Sequence, residues 1–305
     1  MNCFYTRLMP LLLIALTATA ALAADDTRYR PFILASVSDA GIEERLAATL
    51  VRLEQAGFTA VGQYAPLETA RVLVVTSPEL LEIAARSPRG GYAAAQRVSV
   101  AARDGKTEVA FVNPLYIQHA YRVEADLQGV YDRLSSALGY VRDFGSEKGL
   151  TAKKLARYHY MIGMQRFDDP SELGTFESHD AAVAAVRQGL AREGDALTEI
   201  YRIDIPGAQQ TLFGVGMKAT GTAEGELDID ESQQLGIVDF EGHSKVAYFP
   251  YEILVDGAGV EALHMRFRMA VHFPDLSMMG QHGFTQLMAS PGATEDAFEA
   301  LIQPQ

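Results

Sequence analysis

The stretch GVEALHMRFRMAVHF, residues 259–273, holds two methionines, two histidines and two arginines, and the fold of the C-terminal half turns on its reading. Counted by parity, Leu263, Met265, Phe267, Met269, Val271 and Phe273 are odd, whereas His264, Arg266, Arg268 and His272 are even. A β-strand sends successive side chains to opposite faces, so residues 260–273 are expected to form one long strand with an apolar and a basic face. On such a strand Met265 and Met269 point away from His264 and His272 and cannot share a copper ion with them. Methionine beside phenylalanine then reads as core. Asp256-Gly257-Ala258-Gly259 in front is a hairpin signal that pairs this strand with residues 245–255. A two- or four-residue loop puts Phe249 and Tyr251 on the same face as His264 and Arg266. Phe249, Tyr251, His264, Arg266 and Arg268 are therefore the candidate ligand-binding set, because arginine stacks on rings and forks onto carboxylate or phosphate. On this reading, glutamate in place of both arginines abolishes binding and leaves stability nearly intact. The competing reading lays the arginine stems over apolar surface and pairs them with acids. Pro250 marks an edge or a bulge, and a bulge resets the register.

Working outward, the same half begins with a strand-like run at 157–164 and a helix capped by Ser178 that stops at Gly194. Strands follow at 197–205 and 209–217, and helical segments at 281–289 and 295–301 close the chain. The first half has a similar plan. A strand at 32–37 precedes Ile42, Leu46, Thr49, Leu50 and Leu53 at helical spacing, with Gly57 as the stop. Strands at 58–64 and 71–76, a helix opened by Pro78, and strands at 97–103 and 107–113 around Asp104-Gly105 come next. Asn113-Pro114 caps a helix, and Val123, Leu127, Val130, Leu134 and Leu138 give a closing helix one apolar face. Pro274 is matched with Pro114. The shared order implies an internal duplication: an α+β protein of two related domains, 24–150 and 151–305, each an antiparallel sheet with helices packed on one face.

The sequence of helix, Gly57-Phe58, strand pair, Asp104-Gly105, Asn113-Pro114 and helix resembles the bacterial domain-of-unknown-function family numbered 302. The second half resembles it less, through Phe249-Pro250-Tyr251, Asp256-Gly257 and Pro274, and departs by a longer final strand and an acidic insert at 224–231. The resemblance implies compact α+β domains and carries no catalytic residues with it.

The chain opens MNCFYTRLMPLLLIALTATAALA. Arg7, an apolar run too short to cross a bilayer, and Ala21-Leu22-Ala23 together form a secretory signal, expected to be cleaved after residue 23. The mature protein is expected in the periplasm or medium, with no membrane span. The one cysteine, Cys3, leaves with the signal, which excludes disulfides, thiol catalysis and iron–sulfur ligation in the mature chain. A net charge of −13 argues against nucleic acid, which demands basic surface. The expected partner is a small molecule or a protein.

Motifs for catalysis are wanting. Ser178-His179-Asp180 has triad residue types, but neighbours entering a helix point apart, so Ser178 is a cap. Asp228, Asp230, Ser232 and Asp239 fall on calcium-loop positions, but Gln233 stands where the turn needs glycine, so an acidic solvated loop is expected here. Gly214-Val215-Gly216 lacks a third glycine at dinucleotide spacing. A binding protein without cofactor is the leading expectation. An enzyme using His159, His179 or His272 with a carboxylate between the halves is the alternative. Copper handling, through Met278, Met279 and His282 or through His159, Met161 and Met164, comes third.

Overall fold

The structure is a computed structural model that describes residues 27–194 and 196–303. The expected signal, residues 1–23, lies outside the described residues. The first half contains β1 (Arg28–Tyr29), β2 (Phe32–Ser38), α1 (Ile42–Gln55), β3 (Thr59–Leu67), β4 (Ala70–Thr76), α2 (Pro78–Arg86), β5 (Gln96–Arg103), β6 (Lys106–Val112), α3 (Pro114–Ala120), α4 (Gln128–Leu138) and β7 (Arg142–Phe144). The second contains β8 (Leu150–Thr151), α5 (Ala152–Leu155), β9 (Ser171–Thr175), α6 (His179–Glu193), β10 (Leu197–Ile205) and β11 (Gln210–Met217). It ends with α7 (Glu224–Ile229), α8 (Glu231–Val238), β12 (Tyr251–Asp256), β13 (Gly259–Ala262), α9 (Met265–His272) and α10 (Ser290–Ile302). The class is α+β. No helix among the described residues is long and apolar enough to cross a membrane.

Two antiparallel sheets dominate, ordered β3-β4-β5-β6-β2-β7 and β10-β11-β12-β13-β9, while β1 and β8 form a small ribbon. Leaving β7 aside, the strands of each half lie in the same spatial order: second, third, fourth, fifth, first. A helix joins the first strand to the second in both halves, and both hairpins before the last strand turn on two residues, Asp104-Gly105 and Gly257-Ala258. Asp104 and Gly105 both take positive φ, and Gly257 does so in the second hairpin, as two-residue turns matched to strand twist require.

The decisive stretch is not a strand beyond Ala262. It turns into α9 at Met265, so the long extended segment expected over 260–273 is overturned. The reason lies in the capping. His264 Nδ1 accepts the Arg266 N–H at 3.1 Å, as Asn113 Oδ1 accepts the Leu115 N–H at 3.0 Å ahead of α3. Met265 therefore stands in the place of Pro114, and Pro274 does not. Parity misled because Met265/Met269 and Arg268/His272 are spaced by four, a multiple of the strand period and close to one helical turn. Arginine and phenylalanine are mixed around this helix, and every α9 residue except Arg266 is buried. Other expectations moved too. Residues 157–164 are irregular, and the acidic insert expected as a solvated loop forms α7 and α8. Asp230 caps α8 by accepting from the Ser232 and Gln233 N–H groups.

The first sheet is buried on both faces. Ile33, Leu73, Val98, Val100 and Phe111 meet Leu46 and Leu53 of α1 and Val130, Leu134 and Leu138 of α4. Phe32, Leu34, Val72, Val74 and Val112 face the other way, into a core shared with Phe213, Val215, Ile253 and Leu254 of the second sheet. The halves thus close on each other, and β3 crosses β10 closely. A Cβ on Gly62 would stand 2.6 Å from the Ile200 carbonyl oxygen and 2.9 Å from the Tyr201 Cβ. Gly62→Ala is expected to destabilise by about 1–3 kcal/mol, because a carbonyl oxygen and a Cβ are fixed by the backbone and cannot rotate away. A urea midpoint equal to wild type would remove that close approach from the account.

Candidate functional site

The five residues expected to form one basic and aromatic face are divided by α9. Phe249, Tyr251 and Arg268 are buried in the core, whereas His264 is half-buried and Arg266 is exposed. Strand β13 ends before His264, so no cross-strand face joins it to Tyr251, which instead pairs with Val215 of β11.

Arg268 belongs to a buried charged cluster at the seam of the halves. Its guanidinium lies between two phenol rings, 4.3 Å from the Tyr248 centroid and 4.2 Å from that of Tyr251. Its Nη2 donates to the Tyr248 and Pro250 carbonyls at 2.8 and 2.6 Å. Glu252 on β12 takes Arg97 Nη1 of β5 at 2.6 Å and the Tyr201 hydroxyl at 2.7 Å on one oxygen, and faces Arg268 at 3.6 Å with the other. Arg97 Nε also donates to the Ala247 carbonyl. Burial pulls the Arg268 guanidinium towards neutrality, but Tyr248, Glu252 and Tyr251 outweigh it and hold the charge. His272, one turn on, donates Nδ1–H to the Arg268 carbonyl at 2.8 Å, since a carbonyl only accepts. Burial first, then the charges of Arg97 and Arg268, push its pKa well below the usual range, so it is neutral. With both cations turned inward, this cluster locks the two halves and offers no open surface.

The other side of α9 lines a pocket of about 340 Å³. Met265 and Met269, one turn apart, form its floor with Ala270; Met164, Met278 and Met288 complete it with Tyr160, Phe284, Leu287 and Pro291. Five of the chain's ten methionines therefore meet in one place. The Tyr160 hydroxyl is spent on the Leu276 carbonyl at 3.3 Å, and Thr294 donates to Met265 Sδ at 3.6 Å. Arg266 is the only charged residue in the lining. Of the candidate set, then, Arg266 alone lines this pocket. Met164, Met278 and Met288 entered the sequence reading only as copper ligands or not at all. Methionine abundance was the available signal, but their spacing gives no hint of convergence.

A wider cleft of about 990 Å³ lies where β7 and the loop after it meet residues 238–245 and 273–282. His243 lines it, with Nδ1 at 2.7 Å from Glu108 Oε1 of β6, while Glu108 Oε2 accepts the Ser244 N–H at 3.1 Å. This histidine–carboxylate pair was not among those expected. His179 contacts Thr211 and lies 3.7 Å from the exposed Asp180 carboxylate, His159 contacts the Arg157 carbonyl, and His272 is sealed in the core. Glu108 and His243 are 135 residues apart, beyond any spacing argument. His282 stacks on Phe240 in the cleft, whereas Met278 lines the methionine pocket, so the expected Met278–Met279–His282 grouping is divided between two sites. Among the described residues, no three His, Cys, Asp or Glu side chains are placed to hold a metal ion. Comparison with protein-family models, with curated proteins and with solved structures finds no match for this chain.

Proposed function

We propose that this chain is an exported, non-catalytic binding protein that holds a small ligand in the methionine-lined pocket beside α9. The observation that carries the reading is the pocket itself: about 340 Å³ of space with an almost wholly apolar lining and one charged group. Ligand sites share that size and character, and packed cores seldom leave such space empty. Methionine suits the purpose, because its unbranched, polarisable side chain moulds to different shapes. Export rests on the signal-like N-terminus. We further propose that the halves are diverged copies of one unit, akin to the domain-of-unknown-function family numbered 302; their common strand order and matching caps support this.

Ala270→Leu tests the site, because Ala270 is one of its lining residues and the added carbons are expected to take up pocket volume. Native mass spectrometry of wild type from the exported fraction is expected to show a co-purifying small mass that the variant lacks, with cooperative unfolding retained in both. A mass retained by Ala270→Leu places the ligand elsewhere.

One observation favours a second reading. A buried carboxylate that fixes a histidine ring is an arrangement suited to general-base work, and His243 stands so in the cleft between the halves. Hydrolysis of chromogenic esters or phosphates that is lost in His243→Gln would support it; turnover undiminished in that variant would dismiss it.

A further inference from the structure

We infer that the pocket's ligand is an anionic amphiphile, with an apolar chain or ring among the thioethers and a carboxylate, sulfate or phosphate end on Arg266. This rests on the reading of the pocket as the binding site and goes on to name the ligand's chemistry. The lining accepts little else. Tyr160 has its hydroxyl committed to a backbone carbonyl, and the remaining side chains apart from Arg266 are hydrocarbon or thioether. An uncharged polar molecule would lose its hydrogen bonds to water with few replacements, at a cost of a few kcal/mol for each buried group. A cationic molecule would meet Arg266 and no acid, since no carboxylate lines the pocket.

Arg266 itself is the second argument. Among the described residues its guanidinium makes no hydrogen bond, ion pair or ring contact, although the chain carries 39 acidic residues against 26 basic ones. Its neighbour Arg268 has every kind of partner. A free cation at the rim of an apolar pocket is complementary to a molecule with one apolar and one negative end, because guanidinium grips carboxylate or phosphate through paired hydrogen bonds. Met288, largely exposed at the same pocket, gives the apolar part a flexible way in.

The test compares two probes of one chain length, dodecanoate and dodecan-1-ol, by displacement of a fluorescent apolar dye from the full protein. Wild type is expected to prefer dodecanoate by about tenfold or more, the worth of a charge-assisted hydrogen bond. Arg266→Gln should erase that preference and leave the alcohol's affinity unchanged, while Arg266→Lys should restore part of it. The double variant Met265→Leu, Met269→Leu keeps apolar volume and removes two sulfurs, so it should still bind dodecanoate. Equal binding of acid and alcohol to wild type overturns the ligand class but leaves the pocket reading standing. If neither probe displaces the dye and Ala270→Leu does not alter dye binding, both readings fall. Silver(I) binding that the double methionine variant abolishes, with no dodecanoate binding in wild type, would assign the pocket to a soft metal ion and overturn the inference.

Discussion

Glu252→Gln is expected to lower the folding stability of this protein by about 3–5 kcal/mol, although it exchanges one oxygen for an NH₂ group. Glu252 is the carboxylate between Arg97 and Arg268, and all three side chains are almost fully removed from solvent. Two guanidinium groups already exceed one carboxylate there; the balance is made up by the two tyrosine faces around Arg268 and by the carbonyls of Ala247, Tyr248 and Pro250. Neutralising Glu252 leaves two buried cations with no counter-ion, the situation in which a broken buried pair costs most. Urea unfolding should register the loss at constant slope, and a change below about 1 kcal/mol would mean that solvent reaches the cluster. The same logic separates the two arginines. Arg268→Glu places a second anion among phenol rings and is expected to prevent folding, whereas Arg266→Glu, on the surface, should stay within about 0.5 kcal/mol of wild type. Charge reversal at both positions therefore cannot leave stability intact, contrary to the strand-based expectation.

The second large effect is on pH dependence. Glu231, in the first turn of α8, is buried and accepts hydrogen bonds from the Tyr64 hydroxyl of β3 and the Tyr251 N–H of β12. Burial raises its carboxyl most, and the bonds from Tyr64, Met217 and Tyr251 and the charge of Arg268 only partly offset this, so it is pushed up to about 8. In the unfolded chain the same group titrates near its ordinary 4.5. Between those values the folded protein keeps a proton that the unfolded chain has released. Stability from this group is thus complete below about 4.5 and falls as pH rises to about 8, by up to about 1.4 kcal/mol per pH unit. Glu231→Gln removes the titration, so the variant should gain on wild type steadily from pH 5 to pH 8. Asp239 and Glu261, also raised by burial, act in the same direction, and Asp168 and Asp230, which are lowered, act oppositely. The difference between wild type and variant isolates Glu231. Parallel stability curves across that range would show that Glu231 stays ionised in the folded state.

Much of the architecture was legible because it depends on local chemistry. The strand at 197–205 appears with the bounds expected, and Ser178 and Asn113 cap the helices assigned to them, because a side-chain oxygen followed by a helical pattern leaves few alternatives. Strand β9, five residues with a glycine inside, carries too little alternation to be seen. The acidic insert looked solvated because its charge dominates its composition, yet the Asp230 cap starts α8 and Glu231 goes inward to Tyr64.

Of the candidate set, Arg266 lines the methionine pocket, and the strand face expected to join it to Phe249, Tyr251, His264 and Arg268 does not form. Periodicity over eight residues could not separate a short strand from two turns of helix when the marked side chains stand four apart, and histidine as a cap was not weighed. Burial of Arg268 depends on Glu252, Tyr248 and Tyr251, and the methionine pocket depends on segments from 160 to 291. The amino-acid order alone determined the α+β class, the hairpins and the helix starts marked by a cap or a proline, since turn residues, caps and periodicity act within a few positions. Tertiary structure decided which face of α9 is core, where the cations go and where space is left. Those outcomes depend on pairing and packing between residues far apart in the chain, and no local pattern carries that information.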